Sequence, residues 1–221
     1  FDKNKKGTIF SVSDVFTVQG GSSSVKGKII TLEPSDKVKV NLKNKATFEI
    51  GDDLVANDDG INAPGLSVLE NIANIIAGSD GEVWIVAPSS EQSGVAHCIS
   101  FTKPMQISKI SERKFSVDGS PADCVLAGIY DVMRSNKPDL ILSGVNRGNN
   151  SADNSLYSGT IGAAIEGTIH KIKSIALSQY LGPRNIKNKD PFEAANYYGA
   201  EIIEKLLEYN EWGTGDYRVF Y

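Results

Sequence analysis

The sequence predicts an α/β fold, a doubly wound domain with a mainly parallel sheet and helices on both faces, preceded by a β-rich segment. From residue 54 onward, short apolar runs alternate with amphipathic helical patterns, which is typical of βαβ units. Residues 1–50 show no helical pattern and contain the turn-forming Gly-Gly-Ser-Ser-Ser at 20–24. We therefore expect a β-rich segment over residues 1–53 and an α/β domain over residues 54–221. The β-prone runs of the first segment are residues 8–12, 15–18, 25–32 and 37–42.

Proline and glycine mark the first elements of the α/β domain. Leu54–Ala56 is a short apolar run typical of a buried strand. Pro64 suits a first helical turn, apolar residues then recur at helical spacing, and Gly78 can end the helix. Residues 83–87 form the next apolar run, and Pro88 is expected to end that strand.

A capping sequence marks the second helix. Ser120 is followed by Pro at the first helical position and by Asp123 three residues after the cap, which indicates a helix start. We expect this helix to run to about Met133. The other predicted elements are strands at 105–110, 114–117, 140–143 and 175–178, and helices at 159–170 and 192–207.

Composition excludes several classes of protein. The chain has 23 Lys and Arg against 27 Asp and Glu, a net charge of −4, so no general attraction to nucleic-acid polymers or to anionic membranes is expected. Two cysteines, Cys98 and Cys124, are too few to stabilise a chain of 221 residues by disulfide bonds. The low cysteine count favours the reducing cytoplasm. No apolar stretch is long enough to span a bilayer, so no membrane partner is expected.

Two adjacent acids follow the first predicted strand. Ligands of open α/β sheets bind beyond the carboxyl ends of the strands, and Asn57, Asp58 and Asp59 fall at such an end. Adjacent carboxylates repel each other unless they are solvated, hydrogen-bonded or shared by a cation, and Mg²⁺ or Mn²⁺ prefers oxygen ligands. The alternative interpretation is an ordinary Asp-Gly turn.

Three further polar groups are predicted at the same edge of the sheet. Ser93 lies in the loop after strand 83–87, and Asn146 lies in the polar segment that follows the strand beginning at Leu140. Ser158-Gly159-Thr160 opens a helix, and a helix N-terminus can bind phosphate. Each of these is by itself compatible with an ordinary turn or cap. Their coincidence at one edge favours a site for a cation and a phosphate.

Four other polar residues are given structural interpretations. His97 and His170 do not have the spacing of a zinc site, and we expect His170 to contact the helix dipole or solvent. Cys124 is expected to pack in the core. Glu166 is expected to make an ordinary contact on the helix surface or in the core, with an indirect contact to the site as the alternative. For His97, which is near Ser93, the alternative is that it lines the pocket.

Five ordered motifs in this sequence resemble the SurE family of survival-protein phosphatases. The resemblance extends from Leu54 to about Trp212. Its motifs are LVANDDGINAPGL (54–66), VAP with QSG (86–94), GSPADCV (119–125), PDLILSGVNRG (138–148), and YSGT with AIEG (157–167).

The resemblance implies a Rossmann-like fold and a metal-dependent phosphomonoesterase. Such an enzyme hydrolyses nucleoside 5′- and 3′-monophosphates to nucleoside and phosphate, and in some members short polyphosphate. It implies one divalent cation per subunit, Mg²⁺ or Mn²⁺, and a homo-oligomer, dimer or tetramer. The implied metal ligands are Asp58, Asp59, Ser93 and Asn146, the implied catalytic residues are Asp58, Asp59 and Asn146, and the implied phosphate-binding residues are Asn57, Ser158, Gly159 and Thr160.

The chain departs from the family pattern at both ends of the resemblance. Asp52 and Asp53 stand where the family begins a central strand with apolar residues. Because burying charge is unfavourable, we expect that strand to be short or its start to be exposed to solvent. The run ending at Tyr221 looks like a strand cut short, so we expect a domain truncated at its C-terminus, which puts the oligomer contacts in doubt.

Two other functions are alternatives to the nucleotidase. A non-catalytic module that binds nucleotide or phosphate, with the N-terminal β segment as its interaction element, would carry the same polar residues without turnover. A nicotinamide-dependent dehydrogenase is disfavoured, because the first strand is not followed by Gly-x-Gly-x-x-Gly.

Overall fold

A computed structural model describes residues 52–183, 185–209, 212–213 and 219–221. The strands predicted within residues 1–50 lie outside the described residues, so the β-rich segment stays a prediction. Among the helices that are described, none is both long and apolar enough to cross a bilayer.

Six strands form one sheet in the spatial order β3-β4-β2-β1-β5-β6. All neighbouring strands are parallel except the pair β3 and β4 at one edge, which is antiparallel. The prediction of a mainly parallel sheet is confirmed. The strands are β1 (Asp52–Ala56), β2 (Glu82–Pro88), β3 (Ile107–Ser111), β4 (Lys114–Val117), β5 (Leu140–Arg147) and β6 (Lys173–Gln179).

Helices cover both faces of this sheet. They are α1 (Pro64–Ala77), α2 (Pro121–Ala127), α3 (Gly159–Ile169) and α4 (Glu193–Glu208). Helices α1 and α4 contact each other, as do α2 and α3. Adjacent residues of β1 point to opposite faces, as strand geometry requires: Val55 joins one apolar cluster and Leu54 the other.

The second helix differs from the prediction at its C-terminal end. The capping box at Ser120 and Asp123 is present, and Pro121 is the first helical residue. The α-helix ends at Ala127, however, and the chain continues as a π-helical turn over Gly128–Val132. Cys124 is fully buried in the cluster that contains Leu54, so its predicted packing role is confirmed.

The start of β1 meets one of the two alternatives expected for it. The strand is short, with five residues, but Asp53 is completely buried rather than exposed. The reason is its place in the sheet: β1 lies between β2 and β5, and Asp53 stands opposite Val83 and Leu140. Both neighbouring strands therefore extend as far as the acidic end of β1.

Strand β5 is longer than predicted, and this moves one site residue. The sequence placed Asn146 in a loop after residue 143, whereas the strand continues to Arg147. Pairing with β6 explains the difference: Asn146 stands opposite Ser178, after a register shift between Ser143 and Asn146. The Gly and Asn residues after Ser143, which are typical of a turn, therefore belong to an irregular strand and not to a loop.

Candidate active site at the carboxyl edge of the sheet

The turn after β1 brings Asn57, Asp58 and Asp59 to the carboxyl edge of the sheet. The side-chain oxygen of Asn57 accepts a hydrogen bond from the backbone N–H of Asp59 at 3.0 Å. Asn57 is fully buried, Asp58 is 4% exposed, and Asp59 is partly exposed. Asn57 therefore fixes the turn that presents the two acids.

Helix α3 holds Asp58 from the opposite side. The Thr160 hydroxyl donates to Oδ1 of Asp58 at 2.8 Å, and the Thr160 backbone N–H lies 3.3 Å from Oδ2. Gly159 permits this approach, because a Cβ at that position would lie 3.0 Å from the Cβ of Asp58. The positive end of the helix dipole thus faces the Asp58 carboxylate.

Ser158 is the N-cap of α3. Its hydroxyl accepts a hydrogen bond from the backbone N–H of Ile161 at 3.2 Å. In the protein without a ligand, Ser158 therefore acts as an ordinary N-cap. Since Thr160 binds Asp58, contact between this helix start and a phosphate stays a prediction.

The end of β5 meets the acid pair at Asp59. The backbone N–H of Arg147 is near enough to the Asp59 carboxylate to oppose the rise of its pKa, so Asn146, one residue earlier, lies beside the same turn. The Asn146 amide nitrogen donates to the Gly148 carbonyl oxygen at 3.4 Å. The amide oxygen of Asn146 is a group that can serve as a metal ligand or a hydrogen-bond acceptor.

Ser93 lies in the loop that follows β2, next to a residue bound to Asp58. The Gln92 N–H donates to the backbone carbonyl of Asp58 at 2.9 Å. The Ser93 hydroxyl is exposed and donates to the Glu91 carboxylate at 2.8 Å. The loop is therefore anchored at the acid pair, while the Ser93 side chain itself is bound to Glu91.

Burial sets the electrostatics of the acid pair. Desolvation raises the pKa of Asp58 above its ordinary value, and the two hydrogen bonds from Thr160 oppose that change. Desolvation also raises the pKa of Asp59, and the charges of Asp58 and Glu91 add to the effect against the opposing influence of Arg147. The ionised form of this pair is therefore unfavourable in the protein alone, and a bound cation would stabilise it.

Two buried polar atoms near this edge have no hydrogen-bond partner among the described residues. They are Nδ2 of Asn57 and Oγ of Ser143. Ser143 is fully buried on β5, opposite Ala56, the residue before Asn57. Ser143 is not among the predicted site residues; its signal in the sequence is a hydroxyl at the end of an apolar strand.

Glu166 contacts two histidine side chains. Its carboxylate is 2.9 Å from Nε2 of His170 and 2.6 Å from Nε2 of His97. His170 is the C-cap of α3 and is bound to Glu166 of the same helix, whereas the contact of Glu166 with His97 reaches the loop after β2. The four-residue spacing of Glu166 and His170 on a helix was the available signal.

The donor set fits a hard divalent cation. No group of three His, Cys, Asp or Glu side chains that could hold a metal occurs within the described part of the chain. A site here therefore depends on two carboxylates together with amide and hydroxyl oxygens, which suit Mg²⁺ or Mn²⁺. The raised pKa values of Asp58 and Asp59 agree with that chemistry.

Residues 54–218 match the sequence model of one protein family, described as survival protein SurE. The chain is 58% identical over 168 residues to the 5′-nucleotidase SurE of Roseobacter denitrificans, and 60% identical over 168 residues to that of Cereibacter sphaeroides. Each comparison covers 76% of this chain and 64% of the relative. The chain thus spans less than two thirds of the length of these curated relatives.

A solved structure has the same fold. The crystal structure of the SurE protein from Aquifex aeolicus matches with a TM-score of 0.63 and 37% sequence identity, over 71% of this chain and 60% of that chain. The match covers most of the described α/β domain and agrees with the Rossmann-like fold that the sequence motifs imply.

Proposed function

Because this chain belongs to the SurE family, we propose that it acts as a metal-dependent 5′-nucleotidase, hydrolysing nucleoside 5′-monophosphates to nucleoside and phosphate. The relatives named 5′-nucleotidase SurE support the reaction class. The observation that carries the proposal is the acid pair Asp58 and Asp59, which lies at the carboxyl edge of the sheet with the pKa of both groups raised. Hydrolysis of 3′-monophosphates and of short polyphosphate belongs to the same proposal.

One divalent cation per subunit, Mg²⁺ or Mn²⁺, would be held by Asp58, Asp59, Asn146 and Ser93. Such an ion supplies charge neutralisation at the phosphoryl group and lowers the pKa of bound water. Asp58 and Asp59 are adjacent, and Asn146 lies beside Asp59 through Arg147. Ser93 would have to release Glu91, to which its hydroxyl is bound.

The chain's own residues would orient the acids and the phosphate. Thr160 fixes both oxygens of Asp58, so the carboxylate has one orientation before any ligand arrives. The Asn57 amide has a buried N–H donor without a protein partner among the described residues, and a phosphoryl oxygen would satisfy it. Gly159, Ser158 and Thr160 place a helix N-terminus at the same point, which favours bound anions.

The assembly and location of the whole protein are part of the proposal. We propose a homo-oligomer, a dimer or tetramer, that works in the cytoplasm on nucleoside monophosphates. The net charge of −4 favours small substrates over nucleic-acid polymers.

A phosphate-release panel tests the proposed function. The whole protein is incubated with nucleoside 5′-monophosphates, 3′-monophosphates and short polyphosphate, each with Mn²⁺, with Mg²⁺ and with EDTA. We expect release from 5′-monophosphates with a divalent cation and none in EDTA, and loss of release in Asp58→Ala. Binding of nucleotide without any release would instead support the non-catalytic module, and full release in EDTA would exclude the metal-dependent reaction.

A further inference from the structure

Two histidines share one buried carboxylate on α3. Oε2 of Glu166 lies 2.6 Å from Nε2 of His97, and Oε1 lies 2.9 Å from Nε2 of His170. The Glu166 side chain is 5% exposed and that of His97 is 31% exposed. A carboxylate only accepts hydrogen bonds, so both rings donate through Nε2. Nδ1 of His170 faces the Tyr130 hydroxyl at 3.1 Å, so His170 connects α3 to the π-helical turn that follows α2.

His97, in contrast, belongs to the loop that carries Ser93. This loop joins β2 to β3 and is anchored on each side of Ser93. The Gln92 N–H donates to the Asp58 carbonyl at 2.9 Å, and the Ala96 N–H donates to the Tyr157 carbonyl at 3.1 Å. Ser93 lies between these anchors and is exposed. The position of Ser93 therefore depends on how firmly the anchors hold.

The backbone of the loop is in a conformation that needs support. Gly94 has φ of +79° and Ala96 has φ of +54°. Positive φ is natural for Gly94 but unfavourable for Ala96, and such residues persist where surrounding contacts hold them. The contacts on Ala96 and His97 therefore stabilise this loop conformation.

Helix α3 supplies those contacts along one face. A Cβ at Gly162 would lie 2.5 Å from the Ala96 carbonyl oxygen and 3.0 Å from the His97 Cα, so the loop backbone packs directly on the helix there. Glu166 is one helical turn later on the same face and binds the His97 ring. The first turn of the same helix holds Asp58 through Thr160.

We propose that Glu166, through its hydrogen bond to His97, is a positioning residue that fixes the Ser93 loop against the acid pair Asp58 and Asp59. One helix then sets both halves of the site, the acids through Thr160 and the loop through Gly162 and Glu166. The catalytic consequence rests on the proposed function, whereas the consequence for the loop does not. Without the bond to Glu166, the loop opens more often and the cation loses the ligand that Ser93 would provide.

The test compares variants on the two sides of Glu166 in the whole protein. His97→Ala removes the bond to the loop, and His97→Gln keeps a side-chain N–H donor. His170→Ala is the matched control, because it removes the other histidine of Glu166 and leaves the loop bond in place. Three quantities are measured for each variant: hydrogen exchange of the amides of residues 92–98, the Kd for Mn²⁺ by calorimetry, and kcat/KM for a nucleoside 5′-monophosphate.

We expect His97→Ala to raise the exchange rate of the loop amides by about tenfold and to weaken Mn²⁺ binding several-fold, with kcat/KM lower in proportion. His97→Gln should restore most of the loss. His170→Ala should lower the Tm while the loop exchange rate and the Kd for Mn²⁺ stay at wild-type values.

Unchanged loop exchange in His97→Ala would overturn the proposal, as would an equal increase in His170→Ala, which would indicate a purely structural role for Glu166. If the wild-type protein releases no phosphate, the proposed function fails, but exchange and Mn²⁺ binding still decide the role of Glu166. The two failures are therefore distinguishable.

Discussion

Thr160 holds both carboxylate oxygens of Asp58, although 102 residues separate them in the chain. The pair joins the end of β1 to the first turn of α3, and it is buried at both partners. The hydrogen bonds favour the ionised carboxylate, whereas desolvation raises the pKa of Asp58 and is the larger influence. Thr160 thus opposes the effect of burial and favours the ionised form of Asp58. A cation would require that form.

Thr160→Val tests that relationship, because it removes the hydroxyl and keeps the shape of the side chain. We expect the pKa of Asp58 to rise further, stability to fall by about 2 kcal/mol because a hydrogen bond to a carboxylate is lost, and kcat/KM to fall at least about tenfold because the acid is misoriented. Thr168→Val is the control: the Thr168 hydroxyl donates to the Ala164 carbonyl on the same helix, at 2.8 Å, away from Asp58. Equal losses of activity in the two variants would contradict the role of Thr160.

Local patterns predicted most of the fold. Helix α1 begins at Pro64, as the sequence indicated, and Gly78 is its C-cap; the capping box of α2 is also present. Signals of this kind act within a few residues, so they can be seen without the tertiary structure. The four metal-ligand candidates lie near one edge because parallel strands end together, which is a property of the fold.

Long-range contacts account for what the sequence did not predict. The extension of β5 through Asn146 depends on pairing with Ser178 of β6, and Gly and Asn there have the local character of a turn. The bond between His97 and Glu166 joins residues 69 apart. Burial of Asp53 depends on the position of β1 in the centre of the sheet. None of these contacts has a signal within its own segment.

Asp58→Asn should stabilise the protein in EDTA and abolish its stabilisation by Mn²⁺. The substitution removes a charge whose burial is unfavourable, and the amide can accept from the Thr160 N–H and donate to its hydroxyl. Saturating Mn²⁺ at about 100 times its Kd should stabilise the wild type by about 2.7 kcal/mol, a Tm increase of about 5–10 °C for a domain of this size. Thermal unfolding with and without Mn²⁺ gives both values. A wild-type Tm that does not respond to Mn²⁺ or Mg²⁺ would exclude the cation site.

The pH dependence of stability should distinguish the metal-free from the metal-bound protein. Desolvation raises the pKa of Asp58 and Asp59 in the folded state above the ordinary value of 3.8. Their favourable contribution is therefore fully present below that value and is lost as the pH rises through the folded pKa. In EDTA, the wild type should become less stable than Asp58→Asn as the pH rises over this interval. Stabilisation by Mn²⁺ should increase over the same interval, and urea titrations across the pH range measure both.

Asp123 should contribute more to stability than its role in the cap requires. Its carboxylate accepts from the Ser120 N–H at 2.9 Å, and also from the N–H and hydroxyl of Ser100 at 2.9 and 2.8 Å. We expect Ser120→Ala to lower the free energy of unfolding by about 1 kcal/mol and Asp123→Ala to lower it by about 3 kcal/mol. Ser155→Ala, at an exposed helical turn, serves as the control. Equal losses for Ser120 and Asp123 in urea unfolding would limit the role of Asp123 to capping.

Asn57→Asp should separate phosphate recognition from cation binding. The new carboxylate keeps an acceptor for the Asp59 N–H, which now bonds to the Asn57 oxygen at 3.0 Å, but it replaces the buried N–H donor that has no partner among the described residues. If that donor binds a phosphoryl oxygen, kcat/KM should fall by about a hundredfold, because a carboxylate oxygen of Asp then faces the phosphoryl oxygen and repels it. The affinity for Mn²⁺ should not weaken, because a third acid stands beside Asp58 and Asp59. Asn154→Asp, at an exposed asparagine, controls for the added charge. Wild-type kcat/KM in Asn57→Asp would show that the Asn57 amide has no contact with substrate, and its role would then be confined to the turn.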